Sequence, residues 1–122
     1  MLKQVLDIKR RRERGLRTIL ARLGEELQSL RLRQQQLTSR QADLHQQWRQ
    51  LTQQAGCMNQ ATLSRLRAAL CTLESEVERL AHEQDALIAE LGRLNQLRAE
   101  QETRLRLNLR EQEKLQLLEE AP

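Results

Sequence analysis

Apolar residues return along this chain at alternate spacings of four and three. Leu16, Leu23, Leu30, Leu37, Leu44 and Leu51 recur every seven residues, and Leu6, Leu20, Leu27, Gln34, Gln41, Trp48 and Ala55 fill the alternate positions. A stripe repeating every 3.5 residues keeps one narrow helical face turned toward a partner helix, so the pattern predicts a coiled-coil seam. It pauses at QQAGCMNQATLS. There Gly56 suits the left-handed position that ends a helix, and Asn59 or Thr62 can cap the start of another. The spacing resumes through Leu63, Leu66, Leu70, Leu73, Val77, Leu80, Gln84, Leu87, Leu91 and Leu94, then carries polar residues at Arg98, Gln101, Asn108 and Gln112. Two helical runs of similar length joined by a few residues must fold back on each other. The expected fold is all-α, an antiparallel two-helix coiled-coil hairpin forming one domain over 1–122, with helix 1 about 2–55, a loop about 56–61 and helix 2 about 62–119.

The two ends of such a hairpin differ. Next to the loop, Leu44, Trp48, Leu51, Leu63, Leu66 and Leu70 make the densest apolar block. At the free end, Lys9 and Glu13 fall near Arg98, Gln101 and Asn108 on the projected seam, which predicts a poorly sealed terminus. Leu2, Val5, Ile8, Leu107, Leu109 and Leu117 lie at this same end with too little of the hairpin to cover them, so they are candidates for apolar docking of a partner. Gly15, Gly24 and Gly92 are weak points, because glycine in a helix interior costs about 1 kcal/mol against alanine.

Composition narrows the function classes. One Trp, no Phe, no Tyr, 31% charged residues and a single Pro at position 122 leave leucine to do the packing, and a sheet is not expected. No apolar run is long enough to span a bilayer, and charges interrupt any apolar stretch at the start that could act as a secretory signal. Cys57, Cys71, His45 and His82 are too scattered for a zinc ligand set, and the two cysteines suit a reducing compartment. No metal or cofactor is expected. Nor is an enzyme: the chain has no glycine-rich phosphate loop, no HExxH, and no concave scaffold on which a catalytic set could be tuned.

Charge is segregated. Residues 1–22 hold eight Lys or Arg against Asp7 and Glu13, whereas residues 73–90 hold six acids against Arg79 alone. A basic stretch ahead of seven-residue leucine spacing imitates a DNA-binding basic zipper, but the register is wrong. Ten residues before Leu16 stands Leu6, ten before Leu23 stands Glu13, and Val5, Leu6 and Ile8 would lie where a groove-bound helix should be polar. Non-specific phosphate binding has charge in its favour but no aromatic stacking platform. A membrane-surface helix has an apolar stripe flanked by arginines, though without Trp or Phe anchors.

In length, charge order and helical pattern, and in its opening VLDIKRRRER, the chain resembles the small central-stalk proteins of bacterial type III secretion systems, the YscO and FliJ group. The resemblance implies a protein of the bacterial cytoplasm, peripheral to the inner membrane at the export apparatus. Its paired termini would insert into the hexameric export ATPase ring and stimulate it, linking it to the export-gate protein of the inner membrane; some members also handle secretion chaperones. Lys9, Arg10, Arg11, Arg12, Arg14 and Arg17 would then meet acidic loops of the ring. A second reading stays open, a coiled-coil adaptor or chaperone-handling protein without an ATPase partner, dimerising into a four-helix bundle that covers its leucines.

Overall fold

The computed structural model describes residues 1–54 and 59–121, so the helix stop assigned to Gly56, together with Ala55 and Cys57, lies outside the described residues. Two helices account for nearly everything described: α1 spans Leu2–Gln54 and α2 spans Gln60–Glu120. Leucine, glutamine, arginine and glutamate all favour helix, and nothing in either segment lacks a backbone donor. Asn59 starts α2: its Oδ1 accepts from the backbone N–H of Thr62 at 2.9 Å and from the Thr62 hydroxyl at 2.7 Å. Of the two candidate caps, Asn59 therefore does the capping, and the helix begins at Gln60.

The helices pack against each other antiparallel, as all-α hairpin geometry requires: Lys9 reaches Glu111, and Arg33 reaches Glu83. By contacts the chain divides into two compact units. The terminal unit is Met1–Ser29 with Leu91–Pro122, and the central unit is Leu30–Glu90.

Leucine fills the core of the central unit. Leu37, Leu44, Leu66, Leu73, Leu80 and Leu87 are buried, while Gln34, Gln41, Val77 and Gln84 occupy the same stripe half-buried. At the flank, Arg33 donates to Glu83, and Arg79 binds Glu76 at 2.7 Å and Glu83 at 3.3 Å. The buried Oε1 of Gln84 has no hydrogen-bond partner among the described residues. Trp48 departs from the expected block: it stands at a seam position yet remains 41% exposed, so the densest packing near this end comes from Leu44 and Leu66.

In the terminal unit the seam changes chemistry. Leu6, Leu23, Leu27 and Leu94 are buried, and so are Gln101, Asn108 and Gln112. The Gln112 side-chain amide donates to Asn108 Oδ1 at 2.6 Å and to Glu13 Oε1 at 3.0 Å, with the Lys9 carbonyl at 3.5 Å. This corrects the expectation of a poorly sealed end: with Leu6 only 3% exposed, the seam is closed, by a hydrogen-bonded polar layer. The partners differ as well. Lys9 and Glu13 meet Glu111 and Gln112, while Arg98 turns to Glu102 at 3.8 Å on its own helix.

Candidate docking surface

The amino-terminal cations do not act as one block, because a helix turns each successive residue about 100°. Lys9 sits on the seam stripe, half-buried, and its ammonium is tied to Glu111. Arg17 donates to Glu13 at 2.8 Å, and Arg10 stands 4.0 Å from Asp7. Arg11, Arg12 and Arg14 are exposed and make no ion pair among the described residues. Of the six cations proposed from the sequence, these three are the exposed ones without an ion pair among the described residues.

Two carboxylates respond to this arrangement. Glu13 is held below the usual carboxylate range by the hydrogen bond from Arg17, with a second contribution from Gln112. Glu111 is lowered by its hydrogen bond from Lys9 and then by the charges of Lys9, Lys114 and Arg12. Both stay ionised at neutral pH, and both are spoken for.

One side of the terminal unit opens as a groove between the helices. A recess of about 510 Å³ is lined by Lys9, Arg12, Gly15, Leu16, Ile19 and, from α2, Arg104, Leu107, Asn108 and Glu111. A second recess, lined by Val5, Lys9, Glu111, Lys114 and Leu115, shares Lys9 and Glu111 with the first and so continues the groove. Gly15 helps to open it: a Cβ built there meets nothing within 4 Å. Spacing explains the alignment, since steps of three, four and seven put Val5, Arg12, Gly15 and Ile19 on one face of α1 and Arg104, Leu107, Glu111 and Lys114 on one face of α2.

The apolar candidates divide in the same way. Val5 and Leu107 border this groove, exposed by 38% and 52%. Leu109, two residues beyond Leu107, points about 200° around the helix to another side. Leu2, Ile8 and Leu117 are exposed at 38%, 50% and 64% and line neither recess. Sequence reasoning missed Ile19, Arg104 and Lys114. Their signal was present in the three-and-four spacing just off the seam, but it shows only when both helices are placed side by side.

No protein-family model matches this chain, and neither a curated protein nor a solved structure matches it. No described helix is long and apolar enough to cross a membrane.

Proposed function

We propose that this chain is a non-catalytic stalk whose terminal unit docks into the hexameric ATPase of a type III secretion system, stimulates it, and couples it to the export gate of the inner membrane. What supports this reading is the coincidence, on one unit that pairs both ends of the chain, of three cations with no internal ion pair and a groove floored by exposed apolar side chains. Such a surface suits lodging between acidic walls. Each exposed ionic contact contributes little, on the order of 0 to 1 kcal/mol, so several weak contacts can hold the unit without fixing it to one subunit of a ring. Long-range attraction would steer it there, across a screening length of about 8 Å at physiological salt. The resemblance of the opening segment to the stalk family supplies the identity of the ring.

The test is a charge reversal. Replacing Arg10, Arg11, Arg12 and Arg14 by Glu keeps residues of similar helix propensity, so helicity by circular dichroism should be nearly unchanged. Stimulation of the cognate ATPase should be lost, and alanine at the same four positions should do less damage, because it removes attraction without adding repulsion. Full stimulation by the glutamate variant would overturn the assignment of this cluster.

A further inference from the structure

The central unit carries a second unpartnered apolar surface, of opposite charge. Leu44, His45, Trp48, Glu74, Val77, Glu78 and Ala81 line a recess of about 330 Å³. Trp48 is the only aromatic residue of the chain, and it lies 41% exposed in this recess. Glu74 makes no ion pair among the described residues, and the only one of Glu78 is a 4.0 Å approach to His82 with both side chains exposed. The neighbouring acids Glu76 and Glu83 are already engaged by Arg79 and Arg33. Glu74 and Glu78, by contrast, keep their charge for a partner at the Trp48 recess.

The terminal groove is its complement. Its apolar floor holds Val5, Ile19 and Leu107, and its rim holds Arg12, Arg104 and Lys114, none of which has an ion pair among the described residues. Its one acid, Glu111, is consumed by Lys9. One surface is apolar with a cationic rim, and the other is apolar with an anionic rim.

We propose that the free protein associates with a second copy of itself, the cationic groove on the terminal unit of one copy receiving the Trp48 face on the central unit of another. The tryptophan supplies the large apolar anchor such interfaces favour, and the opposed charges select groove against Trp48 face, because groove against groove, or face against face, would set like charges against each other. This inference does not require an ATPase partner. A chain that self-associates without stimulating any ATPase would leave it standing.

Sedimentation equilibrium of the full chain across a range of concentrations tests it. The expected result is reversible self-association that weakens as salt is raised, accompanied by a blue shift of Trp48 emission as the associated form accumulates. Two exposed-residue variants sharpen the test. Arg12→Glu with Arg104→Glu reverses the groove, and Glu74→Lys with Glu78→Lys reverses the Trp48 face. Each variant alone should self-associate at least tenfold more weakly, and an equimolar mixture should recover the lost affinity, since each mutant surface then meets its complement. A mixture that stays monomeric overturns the proposal. So does an unaltered chain that remains monomeric at every concentration or leaves the Trp48 emission unmoved. A monomeric chain that instead binds vesicles of anionic lipid would assign the groove to a membrane surface.

Discussion

A buried amide oxygen without a donor forfeits its bond to water and gains nothing in return, and Gln84 Oε1 is in that position. Leucine fits the same stripe, which holds Leu80 and Leu87 about one turn to either side. Gln84→Leu is therefore expected to stabilise the chain by about 1 to 2 kcal/mol, read as a higher midpoint in urea unfolding. Glu13 gives the opposite lesson. Its lowered pKa means that its contribution is fully present above the ordinary value of 4.5 and is lost as pH falls through the folded value. Unfolding monitored from pH 7 down to pH 3 should show this acid-limb loss, and Glu13→Gln should flatten it. If the variant retains the whole acid limb, other carboxylates such as Glu76 and Glu111 carry it. None of these residue-level roles was legible in the sequence beyond the position each holds in the heptad: a glutamine on the stripe reads the same whether or not its partner is in reach.

At the scale of the helices the sequence is a much better guide. From Leu6 to Leu115, the four-and-three spacing names the buried and half-buried stripe of both helices, including its polar members Gln101, Asn108 and Gln112. Trp48 breaks the rule: its position lies on the stripe, yet its side chain stays exposed. Leu44 is 1% exposed and Trp48 41%, so Leu44→Ala should cost more, about 2 to 5 kcal/mol, than Trp48→Ala in chemical denaturation of the monomer. An equal or larger loss at Trp48 would contradict its exposure. Asn59→Ala should cost about 1 kcal/mol by removing the cap of α2. The glycines point the other way. No atom lies within 4 Å of a Cβ at Gly15, Gly24 or Gly92, and none has a positive φ, so alanine at each should add up to about 1 kcal/mol.

For the molecule as a whole, the distribution of core chemistry sets where stability resides. Six leucines are buried in the central unit, whereas the terminal unit relies on four leucines and three polar residues. Amide protons around Leu37–Leu44 and Leu73–Leu87 are expected to exchange more slowly than those around Gln101–Gln112, since apolar burial resists opening more than neutral hydrogen bonds that water can replace. Uniform protection across both units would refute this ranking. The segregation of charge was visible in the sequence from the outset, because it needs only counting. The groove was not, because it takes side chains from both helices, and the spacing of either one alone leaves Ile19 and Arg104 as ordinary surface residues.

A seam built from repeated leucines is nearly indifferent to sliding: displaced by seven residues, most leucines still meet leucines. The layer of Glu13, Asn108 and Gln112 is not indifferent. A slip of one heptad would set either Leu105 or Glu119 beside Glu13, leaving its carboxylate against hydrocarbon or against a second carboxylate. The polar layer thus works as a notch in an otherwise smooth ratchet, giving up some stability so that only one alignment of the two helices is free of penalty. Gln112→Leu should accordingly tighten the pairing while making it less particular, and cysteines placed to cross-link one alignment should begin to trap its neighbour as well.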